Sequence, residues 1–89
     1  MTLNSSSGAQ IVRPTGRQLR AARALVGLTT AQLAEASGVS LNTIKRGEAS
    51  DGPCTMIPAN LNAITRALAA CGARFIEPDR EGGEGVRMV

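Results

Sequence analysis

The residues LNTIKRGE, at positions 41–48, carry side chains that can bind polar or anionic groups. Asn42, Lys45 and Arg46 lie where a helix that only packs against a core would carry more apolar residues. The preceding segment, TTAQLAEASGV, is broken at Gly38, and a second segment starts at once. This pattern has two interpretations: an ordinary helical hairpin, or a pair of helices whose second member is exposed for insertion into a partner.

The chain has no set of residues suited to catalysis or to metal binding. It has no histidine, its cysteines Cys54 and Cys71 have no evident base beside them, and its carboxylates cluster in loops rather than in pairs. Because a nucleophile needs a base within hydrogen-bonding reach, we do not expect an enzyme. Without histidine or a CxxC spacing the chain lacks ligands for a mononuclear metal site, so neither a metal nor a cofactor is expected.

The composition also indicates the compartment. No long apolar run is present, so no membrane span is expected, and the N-terminal MTLNSSSGAQ lacks the basic and apolar regions of a secretory signal. Free thiols in a reducing cytosol therefore fit better than a disulfide framework, and a cytoplasmic protein is expected.

The charge is distributed unevenly along the chain. Residues 1–50 carry six basic and two acidic side chains, a net charge of +4, whereas residues 51–89 carry four basic and five acidic ones, a net charge of −1. A basic half suits a polyanionic partner, although a solvated surface explains it equally well.

The apolar spacing and the capping residues predict four helices, at about 16–26, 30–37, 40–47 and 58–72. Leu25 is counted in the apolar stripe of the first helix and Cys71 in that of the fourth, where a structural role is expected for the thiol. Gly47 is expected to end the third helix early. Residues 1–13 are polar and without periodicity, and they are predicted to form a flexible arm.

The last part of the chain changes from helical to strand-like periodicity. Residues 73–77 and 85–89 read as short strands joined by the turn-rich segment PDREGGEG, which predicts a hairpin. An isolated two-stranded hairpin is marginally stable in water. It is therefore expected to share a sheet with a second copy, in a homodimer, or else to fold back on its own helices.

The stretch TAQLAEASGVSLNTIKRGE resembles the helix-turn-helix of the phage-repressor and Cro-like (XRE-type) transcriptional regulators of bacteria and phages. The matching residues are Leu33, Ala34, Gly38, Val39 and Ile44, and the preceding GRQLRAARALVGLT fits the first helix of that family. The resemblance implies a mainly α fold: a four-helix lambda-repressor-like DNA-binding domain over residues 14–72, followed here by a C-terminal β-hairpin at 73–89. That hairpin stands in place of the family's fifth helix.

The resemblance also implies roles for individual residues. Those implied to face DNA bases are Leu41, Asn42, Lys45 and Arg46, with Lys45 able to reach either a base or a phosphate. Those implied to face phosphates are Arg17, Arg20, Thr30, Ser40 and Thr43, while Arg13 of the arm could reach a groove or a phosphate. Arg23 and Glu48 stand where the family commonly has a structural ion pair.

The resulting prediction is a sequence-specific DNA-binding transcriptional regulator, a repressor that binds double-stranded DNA at a two-fold operator as a homodimer and associates with the nucleoid. The alternative is an antitoxin or antiactivator on the same scaffold, which would act on a protein partner, a toxin or an activator. The C-terminal hairpin bears on both, because it could pair with a twin subunit or with a foreign edge strand.

Overall fold

The structure is a computed structural model that describes residues 13–89. In these residues four helices precede a two-stranded antiparallel hairpin, which confirms the predicted fold class. The elements are α1 (Gly16–Val26), α2 (Thr30–Ser37), α3 (Leu41–Ala49), α4 (Pro58–Ala70), β1 (Ala73–Ile76) and β2 (Gly85–Met88). Residues 1–12, which form nearly all of the predicted arm, lie outside the described residues.

Side-chain caps fix where the first three helices begin. The hydroxyl of Thr15 accepts a hydrogen bond from the backbone N–H of Gln18, whose side-chain oxygen accepts from the backbone N–H of Thr15 in return. Thr29 caps α2 through the same reciprocal arrangement with Gln32. Ser40 caps α3, and Gly38 closes α2 in the left-handed conformation with φ of 76°. The break between α2 and α3 is therefore built into the sequence.

The core lies between the helices and under the hairpin. Its largest fully buried side chains come from every helix and from the loop after α3: Leu19, Leu33, Ile44, Ile64, Leu68 and Cys54. Two sequence-based expectations were wrong here. Leu25 is 49% exposed, and Cys71 lies beyond the end of α4 and is exposed, whereas Cys54 is the buried thiol. The stripe of α4 ends one turn before Cys71 because the helix itself ends at Ala70.

The third helix does not end at Gly47, contrary to the sequence-based expectation, but continues to Ala49. Gly47 is buried, and a Cβ added there would lie 2.5 Å from Cε of Met56 and 3.1 Å from Sγ of Cys54. The glycine therefore serves packing rather than termination, because it lets the loop after α3 close over the helix.

The segment before α1 is tied to that same loop. Nη1 of Arg13, the last residue of the predicted arm, donates to the carbonyl oxygens of Cys54 and Met56, at 3.0 Å each. The backbone N–H of Cys54 donates to the carbonyl of Pro14 at 3.2 Å. These three hydrogen bonds attach the loop to the segment before α1 and fix its position beside α3.

The hairpin packs against α1 and α4 of its own chain. Its strands pair in the register Ala73–Met88, Arg74–Arg87, Phe75–Val86 and Ile76–Gly85. The buried side chain of Gln18 links it to α1, since Nε2 donates to the carbonyl oxygens of Ile76 at 3.3 Å and Gly85 at 2.9 Å. No helix between residues 13 and 89 is long and apolar enough to cross a membrane.

Candidate functional site

One face of α3 is a strip of exposed side chains, and the other face is anchored in the core. Ile44, Gly47 and Glu48 are buried on the inner face. Four residues are exposed on the first two turns: Leu41, Asn42, Lys45 and Arg46. They are spaced i, i+1, i+4 and i+5, so they form one continuous surface, which we call the α3 strip. Leu41 is 37% exposed, so the α3 strip presents one apolar side chain among three polar ones.

Hydroxyl groups surround the N-terminus of α3. Oγ of Ser40 accepts from the backbone N–H of Thr43 at 3.2 Å and donates to Oγ1 of Thr43 at 2.8 Å. With the Ser40 proton used in this way, the hydroxyl hydrogen of Thr43 is free to donate to an outside acceptor. The first backbone N–H groups of a helix also lack partners within the helix, so this end of α3 favours an anionic group.

Thr30 is the first residue of α2, and it is half-buried. The cap of α2 is Thr29, whose hydroxyl accepts from the backbone N–H of Gln32 at 3.0 Å. Thr30 therefore keeps its hydroxyl for other contacts.

Arg23 of α1 and Glu48 of α3 form a bidentate ion pair beneath the α3 strip. Nε of Arg23 lies 2.8 Å from Oε2 of Glu48, and Nη2 lies 3.0 Å from Oε1, while Nη1 donates to the carbonyl of Leu28 at 3.0 Å. The side chains are 22% and 7% exposed. The hydrogen bond to Glu48 raises the pKa of Arg23 against the opposing effect of burial, and the ion pair holds α3 against α1.

The other two arginines of α1 differ in their surroundings. Arg20 is half-buried, donates Nη1 to the carbonyl of Glu48 at the end of α3, and lies 3.7 Å from Asp51 through Nη2. Arg17 is exposed on the first turn of α1. The Asp51 carboxylate is itself 82% exposed, so Arg20 is paired at the surface rather than buried.

A groove runs alongside α3, and the sequence did not predict its far wall. One wall consists of Thr43, Arg46 and Gly47, and the other of Thr55, Met56, Ile57 and Asn60. Ile57 is 61% exposed although it is a large apolar side chain. The only sequence signal for this wall is that the loop, ASDGPCTMIP, is longer than a tight connection requires.

The geometry described above agrees with a comparison to known families. A model of a family described as a helix-turn-helix domain matches residues 15–77, which cover α1 to α4 and the first strand of the hairpin. No curated protein matches the chain. The match is consistent with the resemblance to phage-repressor and Cro-like regulators that the sequence indicates.

Proposed function

The chain belongs to the helix-turn-helix domain family, and from that premise we propose that it is a sequence-specific DNA-binding transcriptional repressor. The observation that carries the proposal is the α3 strip: four exposed side chains capable of base contacts, on a helix whose opposite face is buried and pinned by an ion pair. Polar residues are ordinary on the outer face of a surface helix, so the support lies in their place on the second helix of a helix-turn-helix domain.

In the proposed complex α3 lies in the major groove, with its N-terminal residues toward the base edges. The amide of Asn42 can form two hydrogen bonds with an adenine, and the guanidinium of Arg46 can form two with a guanine. Leu41 is suited to contact with a thymine methyl group. Lys45, which follows Leu41 by one turn, can reach a base or a phosphate.

Phosphate contacts are proposed for Thr43 and Ser40 at the start of α3, for Thr30 at the start of α2, and for Arg17 and Arg20 on α1. The hydroxyl groups and free N–H groups at the two helix starts suit phosphate oxygens, and such contacts set the orientation of the protein on the duplex. Arg20 can do so only by turning from Asp51, which is a small change because that pair is at the surface.

We further propose that the repressor binds a two-fold operator as a homodimer, and that it acts in the cytoplasm, at the nucleoid. A dimer with two-fold symmetry places two identical recognition helices on two half-sites that lie about one turn of the DNA helix apart. The hairpin supports self-association, because a two-stranded sheet leaves its outer strand edges without ladder partners in the described residues.

The test is a selection of bound sequences from random duplex DNA, run with the wild-type chain and with the matched variants Asn42→Ala and Asn62→Ala. Asn42 is exposed on α3 and Asn62 is exposed on α4, so the two variants remove the same amide from different surfaces. We expect an inverted repeat for the wild type and for Asn62→Ala, and a relaxed base preference for Asn42→Ala. Binding by the wild type without any sequence preference would contradict the proposal.

The exposed end of β2 favours one alternative, an antitoxin or antiactivator that binds a toxin or an activator. Met88 is 42% exposed and Val89 is 81% exposed, at the open edge of the sheet, where a foreign strand could add. Affinity purification of the tagged chain from its host distinguishes the two functions. A stoichiometric protein partner that is lost on truncation after Gly85 would support the alternative.

A further inference from the structure

Two arginines face each other across the hairpin. Arg74 of β1 and Arg87 of β2 are direct cross-strand partners, and both are exposed. Ala73 is buried, and Phe75 and Val86 pack against the core, so the alternation of a strand places the two arginines on the outer face. Like charges directly opposite each other destabilise a strand pair. Their position therefore needs a reason outside the hairpin itself.

Neither arginine is neutralised within the described chain. In residues 13–89 the ion pairs within 4.0 Å are Arg20–Asp51 and Arg23–Glu48, and neither involves the hairpin. Arg66 of α4 is exposed and lines a groove together with Arg74. Arg66, Arg74 and Arg87, which we call the arginine cluster, thus place a formal charge of +3 at one end of the hairpin.

The other end of the hairpin has the opposite charge. The turn over residues 77–84 carries four carboxylates, Glu77, Asp79, Glu81 and Glu84, and one arginine, Arg80, a formal charge of −3. All five side chains are exposed. Asp79 also shapes the turn, since its Oδ1 accepts from the backbone N–H of Glu81 at 2.8 Å. We call this segment the acidic turn.

We infer that two copies of the chain associate through their hairpins in opposite directions, with the acidic turn of each copy on the arginine cluster of the other. The two charges are equal and opposite, and two strand residues separate Arg74 from Glu77 and Glu84 from Arg87, a distance of about 10 Å along each strand. A two-fold axis across the middle of the hairpin therefore brings both pairs together at once, as an isologous interface requires.

Charge complementarity favours a second copy over a nucleic acid at this surface. A phosphate backbone approaching the arginine cluster would also come within about 10 Å of the carboxylates of the acidic turn, which repel it. The inference specifies the association surface of the homodimer proposed above, and it rests on that proposal.

The test exchanges charges on the full-length chain and measures association by sedimentation equilibrium. One variant carries Arg74→Glu and Arg87→Glu, and the other carries Glu77→Arg and Glu81→Arg. We expect each variant alone to associate at least about tenfold more weakly than the wild type, because both of its contacts become repulsive. An equimolar mixture should form a heterodimer, because one of its contacts keeps the wild-type charges of −3 and +3 and the other pairs a turn of +1 with a cluster of −1. Glu35→Arg, which reverses an exposed charge on α2, is the matched control and should associate as the wild type does.

Three results would overturn the inference: a wild-type chain that stays monomeric at millimolar concentration, variants that associate as well as the wild type, or a mixture that does not associate. Circular dichroism of each variant separates lost association from lost folding. A negative result in the charge-exchange test would not contradict the proposed function, because the selection of duplex sequences measures DNA recognition in a separate experiment. If the chain recovers an inverted repeat but fails the exchange test, it still binds DNA as a dimer, and the dimer forms through a surface other than the hairpin.

Discussion

At the scale of single residues, Glu48 connects the core to the surface that is proposed to read DNA. It lies on the inner face of α3, its carboxylate is 7% exposed, and both of its oxygens accept hydrogen bonds from Arg23. Its backbone carbonyl accepts from Arg20. A carboxylate this buried is stable as an anion because a fixed cation satisfies it.

The first prediction concerns the two arginines that contact this residue. Arg23→Ala leaves the Glu48 carboxylate buried without its partner, and should lower the free energy of unfolding by about 3 kcal/mol. Arg20→Ala removes a surface pair and the hydrogen bond to the carbonyl of Glu48, and should lower it by less, about 1–2 kcal/mol. Urea denaturation of the two variants measures the difference, and equal midpoints with equal slopes would contradict it.

The second prediction concerns the α3 strip. Asn42→Ala and Arg46→Ala should each weaken binding to the selected operator by about 1–3 kcal/mol and relax the preference at one base position. Both side chains are exposed, so the melting temperature should stay near that of the wild type. Titration of the operator and of single-base variants by fluorescence anisotropy tests this. A uniform loss across all sequences would mean that these side chains contact the backbone instead.

At the scale of elements, the close approach of α1 to the end of α3 depends on a residue without a side chain. Gly16 opens α1, and a Cβ there would lie 2.5 Å from the carbonyl oxygen of Gly47 and closer still to that of Ser50. Its backbone N–H donates to the carbonyl of Gly52 at 3.2 Å. The helix that carries Arg23 is thus seated directly on the end of the helix that carries the α3 strip.

The third prediction follows from the kind of atom that each glycine faces. Gly16→Ala should destabilise the fold by about 1–3 kcal/mol, because backbone oxygens cannot move aside without shifting a helix. Gly47→Ala should be milder, since its nearest neighbour is the flexible end of Met56. Gly52→Ala, where a Cβ meets nothing within 4 Å, is the control. Thermal melts that rank the three in another order would contradict the packing described here.

The same contacts explain what the sequence could and could not predict. Helix bounds followed from local signals: capping hydroxyls at Thr15 and Ser40, a left-handed glycine at Gly38, and apolar spacing. The role of Gly47 depends on Met56 and Cys54, which fold back from the loop, and no local pattern reveals that contact. Arg13 belongs to the same class, because its partners lie about forty residues away in the sequence, at separations of 41 and 43.

The candidate site divides in the same way. Its residues on α3 came from a contiguous motif and from the family resemblance that this motif carries. The wall of the groove that Thr55, Ile57 and Asn60 provide depends on how the loop closes over α3. Leu25 and Cys71 are exposed although they continue the apolar spacing of their helices. Apolar spacing identifies the side of a helix that can be buried, but the neighbouring elements determine which of its residues are buried.

At the scale of the whole molecule, charge is separated along the chain. Residues 1–50 carry +4 and contain α3 and the α1 arginines, while residues 51–89 carry −1 and contain the acidic turn. The proposed DNA surface is therefore on the basic part, where long-range attraction speeds encounter with a polyanion. The carboxylates of the turn oppose binding of the hairpin end to the same polyanion.

The last prediction uses salt to separate the two kinds of contact. If Arg17 contacts a phosphate, Arg17→Ala should reduce the slope of log K against log salt by about 0.9 in each subunit, because one fewer counterion is released. Asn42→Ala removes a neutral side chain proposed to contact a base, so affinity should fall while the slope stays constant. Anisotropy titrations on the selected operator at several salt concentrations measure both quantities. If the two variants changed the slope equally, the division of the surface into base-reading and phosphate-binding residues would be wrong, since only charge neutralisation at the backbone releases counterions.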